Sequence, residues 1–582
     1  MRKIISLIFI CAYFLHLQTC KNEPAELAKN LAYEDKATIA IRIMKEPRSL
    51  SPILSNTSAR QIFRLMHLPL MHIDPKKLEL VPAVAKSKAE VEAITEGEHA
   101  GGKKYTYEIR EDAKWDDGQN ITAYDVIFSN KIMYHPAVKT RYSQIADLIA
   151  AFEVDEQDPK KFSFLTKECH ILNEETLSTI FLYPEHFFDP DQTLRKHSLE
   201  ELRNEDILKK IEADPKQMSV GEKFMAPESG RTAEGMLGTG PYRLKEWITG
   251  QKIVLEKKEN YWGASVMKAN PEQIVFEIVP DHVTALTKLG NNELDICGDL
   301  SFDLFNDQKS KAQLMDRSYD MTAIYYLPLN NESKILKDKA VRQALAHATN
   351  IEEIIENVTY GYARTLTGPY SPDETYYDKN LGLRKYDIKK AIEILAAAGW
   401  KDSDGDGIQD KIIDGKKTDL ALDFYIPSSS KNMKPIADLF LKSTKKAGFK
   451  INVIAKDSRM LRKEHLAKGD YDISGTGTIA SVGLFDPKYR WHSESIPPKG
   501  GNYPRFNNAK ADALIDAIRT SCDDAQGREK MYKELHQIIY DEQPVIFLYM
   551  PKALLLTTNK IDDLVTSLQR PGYFPEYINK KK

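Results

Sequence analysis

Cysteine is scarce: five residues in 582, at positions 11, 20, 169, 297 and 522, too few to frame a disulfide-stapled fold. No C-x-x-C, H-E-x-x-H, G-x-S-x-G or P-loop motif occurs, so the signatures of dithiol exchange, zincin, serine-hydrolase and nucleotide chemistry are missing. The 13 histidines are scattered; His67, His72 and His465 stand in contexts that suit core or surface roles better than metal ligation. Charge of one sign is also lacking, with 82 Lys and Arg against 85 Asp and Glu, and no basic block beyond the three terminal lysines. Without a basic face or an arginine-rich arm, nucleic acid is not an expected partner. Repeats of 20–50 residues and low-complexity tracts are absent as well, which excludes a solenoid. What is present is globular: 42% apolar and 29% charged residues, in a chain long enough to bury an ample core without staples.

The N-terminus carries an address. Arg2 and Lys3 precede a nearly uninterrupted apolar run, Ile4 to Leu17. At 14 residues it falls short of the ~20 that a membrane-spanning helix needs, but it suits a secretory signal. Leu17-Gln18-Thr19-Cys20 resembles a bacterial lipoprotein box, with Leu three residues before the Cys that receives the lipid. The expectation is a signal peptide over 1–19, acylation of Cys20 and a polar tether over 20–36. Such a chain is held at a membrane surface by acyl groups and no spanning helix. A plain signal peptide with an incidental Cys is the alternative.

Beyond the tether, strand and helix signals alternate, which indicates an α/β architecture. Lys104 to Arg110 alternates strictly, with Tyr105, Tyr107 and Ile109 on one face, and reads as a half-buried strand. Thr122-Ala123-Tyr124-Asp125 opens a helix with a capping box. Asn350 to Glu353 opens another in the same way. Asp387 caps a third, whose Ile388, Ala391, Ile392 and Leu395 recur at helical steps until Gly399. Residues 189–235 are charged, poor in large apolar groups, and read as a surface insertion.

Several segments carry a family resemblance. Lys114-Trp-Asp-Asp-Gly-Gln-Asn-Ile-Thr-Ala-Tyr-Asp-Val126, Gly238-Thr-Gly-Pro-Tyr242, Asn260-Tyr261-Trp262, Leu289-Gly-Asn-Asn-Glu-Leu-Asp-Ile296, Val341-Arg-Gln-Ala-Leu345 and Phe506 to Leu514 follow one another. Together they resemble the family 5 extracellular solute-binding proteins, the peptide- and nickel-binding components of ABC importers. The resemblance implies a periplasmic-binding-protein-like α/β fold of two lobes, a hinge, and an extra domain on the first lobe. The implied division places lobe I at 37–60, 186–328 and 546–582, the extra domain at 61–185 and lobe II at 329–545. It also implies a monomer without enzymatic activity or a required cofactor, which closes over an oligopeptide or other small solute and docks on a membrane permease. A surface receptor without transport is the alternative, and a secreted hydrolase a third class that no motif supports.

The resemblance also nominates the ligand site. Peptide-binding relatives take the α-amino group with an Asp four residues before a Pro; here that position is Gly483, and Asp486 matches only the acid just before Pro487. The Arg that takes the carboxylate in dipeptide binders is likewise missing, and Lys431 is placed to meet an anion as a point charge. The candidate ligand residues are therefore Asn330, Ser428, Ser429, Lys431, Gly475, Thr476, Gly477 and Thr478. Small polar groups of this kind suit hydrogen bonding to a peptide backbone or to a hydroxyl-rich solute. The competing reading makes Gly475 to Thr478 a closely packed structural strand.

Asp402, Asp404, Asp406 and Asp410, with Gly407, stand at positions 1, 3, 5, 9 and 6 of an EF-hand-like loop. Position 12 is Ile413 instead of Glu, and Lys411 to Lys417 reads as a hairpin. Either a structural Ca²⁺ or a plain Asp/Gly turn fits. Cys169, Cys297 and Cys522 form an odd set that leaves at least one free thiol, or three buried ones.

Overall fold

Thr38–Ile43 reads Thr-Ile-Ala-Ile-Arg-Ile and is buried at all six positions, as a strand flanked on both edges and covered on both faces must be. In the computed structural model, which describes residues 37–51, 57–138, 147–479 and 483–581, it runs parallel to Gln273–Ile278 on one side and Ile296–Cys297 on the other. The full seven-stranded sheet has the order Leu314–Asp316, Leu556–Thr558, Ile296–Cys297, Thr38–Ile43, Gln273–Ile278, Lys252–Lys257, Tyr242–Ile248. The first lobe is thus built from the beginning, middle and end of the chain.

A four-stranded antiparallel sheet, ordered Glu90–Ala93, Lys103–Glu108, Lys161–Thr166, Ile149–Val154, forms the extra domain. Its alternation does what the sequence pattern requires: Tyr105, Tyr107, Phe162 and Phe164 enter one hydrophobic cluster with Ile39, Phe63 and Leu255 of the first lobe. The helix Ala123–Lys131 begins where predicted, with the Thr122 backbone N–H donating to Asp125 Oδ2 at 2.8 Å. Asp125 also accepts from the Glu185 N–H at 2.9 Å; its burial nevertheless pushes the carboxyl up to about 6. Residues 189–235 contain the helices Glu205–Glu212 and Pro215–Met225. Leu194, Val220 and Phe224 from this stretch make a satellite core with Phe128, Tyr183 and Phe188.

Three of the sequence motifs meet at one joint between the extra domain and the first lobe. Asp116 accepts from the Gly238 N–H at 2.8 Å and pairs with Lys258, while Trp262 Nε1 donates to the Lys114 carbonyl at 3.0 Å. Thr239 Oγ1 both accepts from the Leu68 N–H and donates to the Leu68 carbonyl. These motifs hold the scaffold together and leave few atoms to meet a solute.

The second lobe has a three-stranded parallel sheet, Lys450–Lys456, Ala421–Pro427, Ile473–Ser474, with its own core around Leu422, Phe424, Ile436 and Phe440. Its helices Ile351–Thr359 and Ile388–Ala397 start at the predicted caps, Asn350 accepting from Glu353 N–H and Asp387 from Lys390 N–H. Gly399, at φ +85°, takes the left-handed turn that follows the second of them. Between the lobes the chain crosses along Ala323–Pro328 and Val545–Ala553, which pair antiparallel. Thr476–Ile479 pairs with the first of these and forms one edge of their sheet.

The cysteine alternatives resolve into one bridge and one thiol. Cys169 and Cys522 form a disulfide, and Cys297 is free and buried.

Candidate functional site

Ligands of parallel α/β sheets bind outside the carboxyl ends of the strands. At the end of Thr38–Ile43, Arg42 is buried and donates to three carbonyls: Val279 at 2.9 Å, Gly298 at 3.0 Å and Pro280 at 3.1 Å. It thereby ties together the loops that leave Gln273–Ile278 and Ile296–Cys297. Both of its terminal nitrogens lie 3.3 Å from His282 Nδ1. An arginine only donates, so Nδ1 accepts and the neutral ring carries its proton on Nε2. Desolvation first, then Arg42 and Lys431, push the His282 pKa down and keep the ring neutral. Asp303 is held below its usual range, first by a hydrogen bond from Ser301, with Lys431 contributing. Lys431, in the second-lobe stretch after Ala421–Pro427, acts on two first-lobe groups, so the two lobes stand within electrostatic reach of one another there.

Seven of the eight predicted residues lie in two stretches of chain, 428–431 and 475–478. Ala421–Pro427 and Ile473–Ser474 are neighbours, Tyr425 opposite Ser474, so the loop 428–432 and the segment 475–479, whose Thr476–Ile479 is itself a strand, leave adjacent strand ends. Ser428 donates its backbone N–H to the Lys456 carbonyl at 2.8 Å, and Ser429 Oγ meets Ser458 Oγ at 2.9 Å. Gly475 and Gly477 play different parts. A Cβ on Gly475 would collide with the Met433 thioether, whereas one on Gly477 would find its nearest neighbour, Tyr325 Cε1, at 3.4 Å. A side chain at Gly475 must therefore push the buried Met433 side chain aside, while Thr476 to Ile479 forms an edge of the interlobe sheet.

Asn330 is buried, with Nδ2 donating to the Gly469 and Tyr471 carbonyls at 3.0 and 2.8 Å and Oδ1 accepting from the Glu332 N–H at 3.1 Å. Its amide ties strand ends together inside the lobe. Asp486 is likewise engaged by His170 and Arg519, so no ammonium anchor stands at the acid before Pro487. Sequence reasoning missed Arg42 and His282. The signal for the first was an arginine inside the run Ile39-Ala40-Ile41-Arg42-Ile43, a charge placed where only a dense set of acceptors could hold it.

Among the described residues, the His, Cys, Asp and Glu groups close enough to share an ion are Asp402, Asp404 and Asp410. Asp406 stays outside that group and accepts from the Ile408 N–H at 2.8 Å. Asp402 accepts from the Gly405 and Gly407 N–H groups at 2.7 and 3.0 Å, and Asp410 from Ser403 N at 2.8 Å. The hairpin Asp410–Ile413 with Lys416–Asp419 forms as predicted and brings in a cation of its own: Lys417 pairs with Asp404 and lies 3.6 Å from Asp410. Any Ca²⁺ at this loop must displace that ammonium. Lys417→Met is therefore expected to increase the rise in melting temperature on adding calcium, relative to chelator, above that of the parent chain; equal responses would leave the loop a plain turn.

The expected signal peptide and tether, with Cys20, lie outside the described residues. Among those described, no helix is long and apolar enough to cross a membrane.

The model of the bacterial extracellular solute-binding proteins, family 5 (middle region), matches residues 79–536. The oligopeptide-binding protein AppA of Bacillus subtilis is 27% identical over 561 residues, covering 94% of this chain and 93% of its own. The structure of that protein with a nonapeptide superimposes with a TM-score of 0.65 at 24% identity over 94% of this chain and 99% of its own. HbpA2 of Haemophilus parasuis superimposes with a TM-score of 0.74 at 20% identity, over 94% and 100%. Carried by the family match over well more than half its length, the chain belongs to the family 5 bacterial extracellular solute-binding proteins, non-enzymatic components of ABC importers.

Proposed function

We propose that this protein captures an oligopeptide between its lobes and delivers it, as a monomer, to a membrane permease. The observation that carries the reading is Thr476–Ile479: a short strand that, among the described residues, pairs with Ala323–Pro328 alone and stands at the edge of the interlobe sheet. An edge strand presents unpaired N–H and C=O groups, which an extended peptide matches group for group whatever its side chains. Lys431, which acts on His282 and Asp303 of the first lobe, supplies a positive charge suited to a peptide carboxylate. The oligopeptide-binding relative from Bacillus subtilis supports the same solute class.

Native mass spectrometry of the purified protein is expected to show a distribution of co-purified peptides. A single non-peptide mass would replace the proposal. Gly477→Trp gives the sharper test. Because the site has room for a Cβ, the indole should fill ligand space and leave the lobes folded. Peptide affinity should fall more than tenfold, above ~1.4 kcal/mol, with the melting of the empty protein little changed. Gly475→Val should instead destabilise the empty protein, through overpacking against Met433. If the two variants behave alike, the segment is structural throughout.

Anchoring through Cys20 belongs to the same proposal. Cys20→Ala should move the protein from the membrane fraction to the soluble one. Retention at parental yield, with no acyl mass on the parent, would show that lipid is not what holds it.

A further inference from the structure

Two chain crossings that lie side by side, Ala323–Pro328 and Val545–Ala553, leave the lobes free to rotate about the ribbon they form. The disulfide adds a third. Cys169 follows Lys161–Thr166, a strand of the sheet that shares the first lobe's core. Cys522 follows the helix Ala509–Thr520, whose Ala511, Ile515 and Ile518 pack with Leu535 and Ile539 of Ala525–Glu542 in the second lobe. The two cysteines are 353 residues apart in sequence and 6.2 Å apart at Cα.

The bridge sits in a built contact. The Ile171 N–H donates to the Arg519 carbonyl at 2.9 Å, and the Ile171 side chain enters the second-lobe cluster with Tyr370 and Tyr532. The Asp486 carboxylate is shared by His170 Nε2 at 3.2 Å and Arg519 Nε at 2.9 Å. Lys103 pairs with Asp523, one residue past the bridge. Each of these ties breaks and re-forms on thermal opening; the S–S bond does not.

We propose that Cys169–Cys522 is a redox-operated lock on lobe movement. The proposal rests on the reading that the lobes open and close around a solute. Oxidised, the bridge holds the extra domain of the first lobe against the second lobe. Reduced, it frees the second lobe to swing, so that solute enters and leaves. A dithiol performs the step: its thiolate attacks one sulfur, the S–S bond breaks, and two electrons and two protons pass to Cys169 and Cys522, leaving two thiols and a cyclic disulfide of the reagent. Both cysteines are half-exposed and open to such a reagent, whereas Cys297 is buried.

The test is small-angle scattering of the empty full-length protein in detergent, before and after dithiothreitol, with peptide mapping to show that Cys169 and Cys522 are alkylated only after reduction. Reduction of the folded protein requires no refolding, and Cys169→Ser with Cys522→Ser supplies the same state without reagent. A larger radius of gyration is expected for the reduced protein and for the double variant than for the oxidised parent. Release of a fluorescein-labelled random nonapeptide pool should be more than tenfold faster in the reduced state. Equal scattering and equal release in both redox states would overturn the lock and leave the binding reading intact. Expansion on reduction with no peptide bound in either state would uphold the lock and remove the oligopeptide reading.

Discussion

Lys580→Met is expected to cost the folded protein about 3–5 kcal/mol, the range for removing one partner of a buried ion pair. Lys580 and Asp295 have side chains only 5% and 2% exposed, with Nζ 2.9 Å from Oδ2. The same Oδ2 accepts from the Ala40 N–H at 2.9 Å, and Lys580 also donates to the Thr38 carbonyl at 3.2 Å. The pair therefore pins the last residues of the chain to its first strand. Burial raises the Asp295 pKa despite the lysine, so desolvation outweighs what the partner returns, and without the ammonium the shift grows. A carboxyl whose folded pKa lies above its unfolded value binds more protons when folded. Its deficit accordingly opens as pH rises from the unfolded value towards the folded one. Unfolding titrations in denaturant should thus show the Lys580→Met loss at pH 7 partly recovered near pH 4. Asp295→Asn combined with Lys580→Met should recover most of it at pH 7. A loss below 1 kcal/mol at pH 7 would mean that Lys580 behaves as a surface lysine.

Acid should destabilise the protein through His67, and His67→Leu should remove that component. His67 is 3% exposed and stacks on Phe63 with ring centroids 4.1 Å apart. Desolvation, with Lys258 adding repulsion, takes its pKa from 6.5 down to about 3. The native ring stays neutral while the unfolded one protonates below pH 6.5. The unfolded state therefore binds more protons between the two values, and stability falls as pH falls through that window. From these two values the loss at pH 5 is about 2 kcal/mol, and it grows further down to pH 3. Asp125 and Glu175 pull the other way: burial raises them to about 6 and about 7, so the native state holds their protons. Comparing parent and His67→Leu across pH 4–8 cancels these shared groups. A parallel pair of stability curves would show that the ring titrates alike in the folded and unfolded states.

Much of the local architecture was legible. The caps at Asn350 and Asp387, the alternation of Lys104 to Arg110 and the hairpin after Asp410 each depend on residues a few positions apart, or on a period that one segment carries by itself. The fold was legible through motifs whose roles turned out to be scaffolding: Asp116, Gly238 and Lys258 form a joint, and Arg342 caps a helix end by donating to the Glu542 carbonyl at 2.7 Å. The site was legible only as a stretch of chain. Sequence nominated 428–431 and 475–478 but could not separate the packed Gly475 from the open Gly477, because the difference is the position of Met433.

The sequence by itself determined the elements, their caps and the family. Only the tertiary structure decided which charges are partners. Lys580 is one of the three lysines that end the chain, a block with no partner visible in sequence, yet its side chain lies buried against Asp295, 285 positions away. An acid before Pro487 read as the nearest substitute for a missing anchor, yet it belongs to His170 and Arg519. Two cysteines 353 residues apart close a bridge between lobes. The physical reason is common to all three. A cap or a strand face is set by neighbours along the chain, whereas burial and pairing are set by which segments the topology brings together, and the energy of a buried charge depends almost wholly on the group that meets it.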